Sequence, residues 1–469
     1  MALCRLLLIE DDPREAQALE EACCPDPESA AIDVVTNGSE AETVVREREY
    51  DLIICDLALP PDGRRMAPEV GEGRRLFELI REHAHGTPVI ILSAHAEIEM
   101  MPGFFTATAS GDLYGTQTEQ SLVQFFPKER LSACVESVKS HIARTAVLDG
   151  LELDTPLELE LSDERALKIY GRRIGAASGR LEPLDGGLSD AKTFKVSYAD
   201  NTGNSVGHVV AKLGSLRDVV VENSKYEQLA AMLPVGLGAL VLWVVQVGAG
   251  QRGALIYQLA DQHTRSLFGL VADQDAEAAV VVQRLEGRLG EWTDDAPVVV
   301  KSLTDLRRHL ITDLDLQDAI GAMFKERGIE VSVREAMVHG DLHGLNALVD
   351  ERNEPTLIDY GEVRRAHAAL DPVTLELSIL FHPAMVGKLG DWPTEEQAAN
   401  WIDLDQFCVG CPVEDYVRAC RAWATRVAVD EDELLAAAYC YAVRQVKYAD
   451  APTAVAIAVA RGAFERLSG

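Results

Sequence analysis

Positive charge is what this sequence of 469 residues has least of: 44 Lys and Arg stand against 76 Asp and Glu, a net charge of −32. A surplus of that sign repels phosphate backbones and anionic membranes, which argues against nucleic acid and against a membrane as partners. Long apolar runs are missing too. The greasiest stretch, Leu233–Val247, is broken by glycines and Gln246 and is shorter than a membrane span. The run Leu6–Ile9 is too short for a secretory signal. The nine cysteines are odd in number and scattered, and the Cys408–Cys411 pair has no second pair to complete a zinc site. A cytoplasmic, reducing setting is therefore expected. Neither an internal repeat nor a low-complexity tract is present. What remains is ordinary globular composition, 47% hydrophobic and 26% charged, in a length that suggests roughly two to four domains.

Residues 1–147 alternate in a way the rest does not. Apolar runs at Leu6–Ile9, Ile32–Val35, Leu52–Cys55, Val89–Leu92 and Leu122–Phe126 read as buried strands. Amphipathic patterns at Arg14–Ala22, Glu40–Arg46, Arg74–His83 and Leu131–Arg144 read as helices. Strand–helix alternation of this kind predicts an α/β, doubly wound, five-stranded parallel sheet. Two stretches rich in Gly, Pro, Met or Thr, Pro60–Gly71 and Glu97–Thr118, read as insertions in surface loops. Residues 148–180 mix a strand-like piece (Leu157–Leu161), a helical one (Asp163–Arg172) and the small-residue run Gly175–Gly179, and are expected to be a linker or adaptor. From 181 to about 259 the pattern is strand-rich with a helix at Ser224–Met232, and from 260 to 469 helical periodicity dominates. A small strand lobe before a large helical lobe predicts a two-lobed α+β domain.

In an open parallel sheet, functional groups gather beyond the carboxyl ends of the strands. There the first strand ends in Glu10-Asp11-Asp12, the third in Asp56 and the fourth in Ser93, and Lys128 follows the fifth. One acidic residue at a strand end is ordinarily a solvated turn residue. Three carboxylates converging on one edge need a counter-charge, which a hard cation such as Mg²⁺ supplies through oxygen ligands. A carboxylate nucleophile, a metal and a Lys are the equipment for an aspartyl phosphate. Residues 3–146 thus resemble the receiver domain of two-component response regulators, a flavodoxin-like fold. The resemblance implies Asp56 as phosphoacceptor, Glu10, Asp11 and Asp56 as Mg²⁺ ligands, Ser93 as switch hydroxyl, Phe125 as rotating aromatic and Lys128 as phosphate-binding Lys. It also implies an upstream histidine kinase or other phosphodonor. Pro127 before and Glu129 after Lys128 depart from the family pattern, which usually has Pro after the Lys.

The sharpest motif is His339-Gly-Asp-Leu-His-Gly-Leu-Asn346, followed by Leu357-Ile-Asp-Tyr-Gly361. Phosphoryl transfer needs a positioned base and oxygen ligands holding Mg²⁺ against phosphates, and Asp341, then Asn346 and Asp359, suit those parts. Upstream, Leu184-Asp-Gly-Gly-Leu-Ser189 reads as a turn whose backbone could approach phosphates through Gly186, Gly187 and Ser189. Val209-Val-Ala-Lys-Leu213 is an apolar strand carrying one Lys, which is costly unless paired. Glu227 on the following helical segment is the expected partner. Ala254–Leu259 reads as the strand leading to a hinge, with Tyr257 and Leu259 at the nucleotide. Residues 181–469 resemble the aminoglycoside phosphotransferase and choline-kinase-like branch of the protein-kinase fold, with a lobe boundary near 259. Gly344-Leu345 replaces the family's Pro-Gly. The resemblance implies ATP and Mg²⁺ as cofactors, Lys212, Glu227 and Asp341 as catalytic residues, and Asp371-Pro372 as a helix start. His339 and His343 are four apart, but a Gly-containing loop is poor ground for a metal site.

The combination leads to the expectation of a signalling protein whose phosphorylated receiver controls an ATP-dependent phosphotransferase acting on a hydroxyl-bearing small molecule or protein. A catalytically silent nucleotide-binding scaffold that recruits a partner is the alternative. A DNA-binding regulator fits poorly with the charge and the lack of a basic helix.

Overall fold

A computed structural model describes residues 4–24, 28–62, 70–93, 110–184, 192–229, 237–259, 265–274, 276–320, 323–448 and 450–468. The chain forms two compact units. The first comprises Met1–Pro183, Asp190–Asn223 and Val241–Gln258, and the second Leu184–Ser189, Ser224–Leu240 and Leu259–Gly469.

In unit 1, β1 (Cys4–Ile9), β2 (Ala30–Val35), β3 (Leu52–Cys55), β4 (Val89–Ser93) and a later strand, Val123–Pro127, form a parallel sheet. Strand alternation sends β1 side chains to both faces. Leu7 and Ile9 meet α2 (Gly38–Glu47) and α3 (Val70–His83), packing with Val45, Leu76 and Ile80. Leu6 and Leu8 meet α1 (Pro13–Cys23) and α4 (Leu131–Asp149), packing with Leu19, Cys134 and Val138. Helices on both faces are why these strands are apolar throughout. The expected five-stranded parallel sheet is present.

Part of the second expected insertion is a folded element. Short strands β5 (Ser110–Gly111) and β6 (Gln120–Ser121) pair antiparallel ahead of β7 (Val123–Pro127). Between them Asp112, Leu113 and Tyr114 are buried, and Leu113, Tyr114 and Leu122 pack against Val247. Buried side chains at 112–114 take this part of the stretch out of the surface-loop class, while Ser110 and residues 116–118 are exposed as expected. Residues 94–109 and 63–69 lie outside the described residues.

The expected linker at 148–180 is likewise folded. It supplies β8 (Glu152–Asp154), α5 (Leu161–Arg173) and the start of β9 (Ser178–Pro183). The piece Leu157–Leu161 is not a strand, and Leu161 opens the helix. With β10 (Lys192–Ala199), β11 (Ser205–Ser215), β12 (Val241–Val245) and β13 (Arg252–Gln258), these strands form a six-stranded sheet in the order β12-β13-β11-β10-β9-β8. Ala166, Leu167, Ile169 and Tyr170 of α5 pack on Phe194, Val196, Ala211 and Ile256 of that sheet. The charged residues that made the stretch look hydrophilic are paired rather than solvated. Asp163, fully buried, accepts from Lys192 at 3.0 Å and Arg252 at 2.7 Å, and Arg165 bridges Asp149 and Asp51. The helix α6 (Leu216–Leu229) follows β11 directly, so it begins a full two turns before the expected Ser224.

Unit 2 holds two three-stranded sheets amid helices. One comprises β14 (Arg265–Ser266), β17 (Ala347–Val349) and β18 (Pro355–Leu357), and the other β15 (Val298–Ser302), β16 (Glu330–Val338) and β19 (Arg364–His367). The helices are α7 (Leu267–Ala272), α8 (Glu277–Leu289), α9 (Leu303–Arg308), α10 (Asp313–Ile320), α11 (Leu370–Phe381), α12 (Glu395–Ala399), α13 (Leu404–Phe407), α14 (Glu414–Val427), α15 (Glu431–Gln445) and α16 (Thr453–Ser468). Every residue of α11 is buried, and its one glutamate, Glu376, is satisfied by Arg421 at 2.7 Å and by Trp401 Nε1 at 2.7 Å. No described helix is long and apolar enough to cross a membrane.

Candidate functional site

The strand ends of the parallel sheet bring five expected residues together. Glu10 and Asp56 end β1 and β3, which are paired in register from Leu6↔Leu52 to Ile9↔Cys55. Ser93 closes β4 and Lys128 follows β7, whose register sets Ser93 against Pro127. Asp12 caps α1, accepting from Arg14 and Glu15 N–H with Pro13 at the first helical position, which turns the chain sharply after Glu10 and Asp11. Ser93 Oγ donates to Asp56 Oδ1 at 2.7 Å. Lys128 Nζ lies 2.8 Å from Asp56 Oδ2, 3.0 Å from Glu10 and 2.7 Å from Glu15. Phe125 is half-buried against the core on the α2/α3 side.

Burial, and then the charge of Asp56, push the Glu10 carboxyl up to about 7, and the same two causes raise Asp11. Burial works against the Lys128 ammonium, but its hydrogen bonds to Asp56 and Glu15 outweigh this and raise its pKa. One Lys therefore leaves anionic charge unrelieved. One carboxylate oxygen from each of Glu10, Asp11 and Asp56 can be chosen so that all three lie within 4.8 Å of one another. An all-oxygen, crowded, under-neutralised set fits a hard divalent cation such as Mg²⁺. Bound there, the cation would shield the charge of an incoming phosphoryl group. Sequence reasoning missed Glu15, although Asp12-Pro13-x-Glu15 is a helix-start pattern that places it on the first turn.

In the six-stranded sheet, Lys212 sits on the central strand β11, opposite Thr193 on one side and Leu255 on the other. Its Nζ is 2.7 Å from Glu222 Oε2, and the Tyr257 hydroxyl donates to Glu222 Oε1 at 2.6 Å. The ion pair at Lys212 is thus made with Glu222, five residues before the expected Glu227. On α6 the two glutamates are five residues apart, about 140° around the helix, so Glu222 is buried and Glu227 exposed. Starting the helix at Ser224 hid Glu222 from the sequence. Tyr257, expected at the nucleotide, is fully buried on β13 and orients Glu222. Leu259 is buried just beyond that strand. Gly186, Gly187 and Ser189 lie outside the described residues.

In unit 2, β17 and β18 pair antiparallel with Ala347↔Leu357. Asn346 precedes the first strand and Asp359 follows the second, so both stand at one end of the ribbon. The Ile358 N–H donates to the Asn346 carbonyl at 3.0 Å. Asn346 Nδ2 donates to the Asp341 carbonyl at 2.8 Å, which commits its amide nitrogen and leaves its oxygen as the donor for a cation. Asp359 has φ +66°, a left-handed turn that non-glycine residues adopt rarely. The carbonyl of Gly361, two residues on, accepts from Lys225.

The loop carrying Asp341 is pinned from behind. Asp371 accepts from the backbone N–H groups of His339 at 2.7 Å and Gly340 at 2.9 Å. The expected helix start at Asp371 therefore does more than begin α11: its carboxylate anchors the motif. His339 Nε2 faces the Ile358 carbonyl at 3.0 Å, so this imidazole ties the loop to the ribbon. Gly340 has φ +81°, and a Cβ there would lie 2.3 Å from the Glu362 carbonyl oxygen. A Cβ on Gly344 would meet the Phe268 ring at 2.2 Å, which explains a glycine where the resembled family has proline. Arg444 Nη1 donates to Asp341 Oδ1 at 3.0 Å, and His343 Nε2 is 3.7 Å from Oδ2. Burial opposes the Asp341 charge, but Arg444, then His343, outweigh it and hold the carboxyl at about 2. Nothing in the sequence singles out Arg444, a helix residue a hundred positions away.

Residues 6–125 match the family model of the response regulator receiver domain. Solved structures similar to this chain include the signal receiver domain of a Luxo repressor protein from Vibrio parahaemolyticus, at 23% identity, covering 32% of this chain and 96% of that one with a TM-score of 0.23. Another is a Francisella response regulator 1452 receiver domain, at 22% identity, covering 30% and 98% with a TM-score of 0.22. A third is a CheY-like receiver domain protein from Methanospirillum hungatei JF-1, at 16% identity, covering 31% and 98% with a TM-score of 0.23. No curated protein matches the chain. The amino-terminal part of unit 1 is therefore a receiver domain, of the kind that takes phosphate on an aspartate from a histidine kinase or phosphodonor and binds Mg²⁺ there.

Proposed function

We propose that this chain is a two-component signalling protein in which phospho-Asp56 controls an ATP-dependent phosphotransferase built from residues 181–469. At the receiver, an Asp56 oxygen forms the new bond to phosphorus as the bond from phosphorus to the donor atom breaks and the dephosphorylated donor leaves with the electron pair; Lys128 pairs with the phosphoryl oxygens, and the Ser93 hydroxyl turns from Asp56 toward them. The observation that carries the second half is the Asp341–Asn346–Asp359 arrangement, in which a carboxylate base and two oxygen ligands are strung on one hydrogen-bonded loop and ribbon. The Lys212–Glu222 pair supports it, since a Lys on a buried strand is retained here beside a glutamate that also accepts from the Tyr257 hydroxyl. In this reading Lys212 serves the nucleotide phosphates, Asn346 and Asp359 hold Mg²⁺, and Asp341 takes the proton of an acceptor hydroxyl.

The test is ADP release by the full chain with ATP and Mg²⁺. Asp341→Asn lowers turnover by about 10²–10⁴ while nucleotide affinity survives, whereas Asp359→Ala lowers Mg²⁺-dependent ATP affinity as well as rate. Wild-type turnover in both variants would end the enzyme reading. One observation favours a silent scaffold instead: Asp341 is already paired with Arg444. ATP binding without any Asp341-dependent ADP release would select that reading.

A further inference from the structure

Arg444 stands at the end of α15 with its guanidinium on Asp341 and against the Tyr448 hydroxyl. Its side chain is 18% exposed and that of Asp341 25% exposed, so the pair is partly shielded from water yet reachable. A guanidinium stays charged at any working pH. Lys447, a turn further on, is exposed, with its ammonium 5.0 Å from the Tyr448 ring centre. The group presented directly beside the proposed base is therefore a guanidinium, although the whole chain carries −32. Distant carboxylates are screened beyond about 8–10 Å, so the local charge decides.

We infer that Arg444 selects an acceptor alcohol that itself carries a carboxylate or phosphate, whose anion takes over the guanidinium from Asp341 on binding. This rests on the phosphotransferase reading above and narrows it. Any hydroxyl that reaches Asp341 must come beside Arg444. An ammonium-bearing acceptor sets like charges together in a partly dry site, whereas an anionic one forms the paired N–H···O contacts that guanidinium favours. The exchange also releases Asp341 Oδ1 for the hydroxyl. In the transfer, the acceptor oxygen forms the new bond to the γ-phosphorus, and the bond from that phosphorus to the bridging oxygen breaks. ADP leaves with the electron pair, and the hydroxyl proton passes to Asp341.

The experiment measures ADP release by the full chain with D-glycerate, gluconate and ribose 5-phosphate, and with choline, ethanolamine and kanamycin. Wild type, Arg444→Lys and Arg444→Gln are compared. An anionic alcohol is expected to give the higher kcat/KM. Arg444→Gln should reduce the anionic-to-cationic ratio by about 10–100-fold, the worth of one charge-assisted hydrogen bond, and Arg444→Lys should retain more of it. Because the ratio is taken within one preparation, loss of folded protein cancels. Asp341-dependent turnover that prefers the cationic alcohols, or a ratio unmoved in Arg444→Gln, overturns the acceptor class and leaves the phosphotransferase standing. No Asp341-dependent ADP release with either set overturns both.

Discussion

Glu10 in unit 1 and Asp341 in unit 2 each lie 3.0 Å from a cation, yet their acidities move in opposite directions, to about 7 and about 2. The cations are not the difference. Lys128 is divided among Glu10, Asp56 and Glu15, and Asp11 stands within reach of the same point. Asp341 shares Arg444 with no other carboxylate in the described contacts and has His343 beside it. Burial raises both carboxyls, and the ratio of anions to cations then decides the sign. The first arrangement has charge left over for a divalent cation and an incoming phosphoryl group. The second is neutral within itself, a carboxylate held ionised by one guanidinium.

The comparison breaks most completely at Asp56. With Mg²⁺ and acetyl phosphate, intact-mass spectrometry should show a phosphorylated wild-type chain and no adduct on Asp56→Asn. Equal labelling of both would mean that the crowded carboxylates are not the phosphoacceptor site.

The next effect tests the observed ion pair. Glu222→Ala removes the carboxylate 2.7 Å from Lys212 and the acceptor of the Tyr257 hydroxyl, and should cost about 1–3 kcal/mol in urea unfolding. Glu227→Ala, at an exposed position, should stay within about 0.5 kcal/mol. The reverse order would restore the partner expected from the sequence.

Of similar size, and opposite in sign, are the pH dependences. The Glu10 pKa is raised on folding from 4.5 to about 7, so its contribution to stability is present below pH 4.5 and lost as pH rises through 7. Relative to Glu10→Gln, wild type without divalent cation should lose about 3 kcal/mol across that window. The Asp341 pKa is lowered from 3.8 to about 2, so its contribution is present above pH 3.8 and lost as pH falls through 2. Relative to Asp341→Asn, that loss should be about 2 kcal/mol. Urea titrations across pH read both, and slopes of the same sign would defeat the charge-ratio argument.

The two sites also differ in how far they could be read from sequence. Asp56, Ser93 and Lys128 each stand at the end of a buried strand, and a parallel sheet carries strand ends to one edge whatever the helices do. Period and spacing therefore sufficed. Asn346 and Asp359 were legible for a similar reason, since a short antiparallel ribbon joins them. Glu222 was not, because its helix begins at Leu216, ahead of the expected start at Ser224. Arg444 was not, because an ion pair across a hundred residues leaves no local trace. The charged run Asp163–Arg173 misled in the opposite way: most of its charges pair with residues elsewhere in unit 1, Asp163 with Lys192 and Arg252 and Arg165 with Asp149 and Asp51, so a charged stretch did not mean solvent.

The central claim is that phosphate on one carboxylate site governs chemistry at the other. It is tested most directly by ADP release from the full chain with the Asp56 site filled by beryllofluoride. ATP affinity or turnover should change by about 5–150-fold, the range of a 1–3 kcal/mol coupling, and Asp56→Asn, which controls for beryllofluoride acting at the nucleotide site, should abolish the response. Unchanged affinity and rate at saturating beryllofluoride, or an equal response in Asp56→Asn, would contradict control by the receiver.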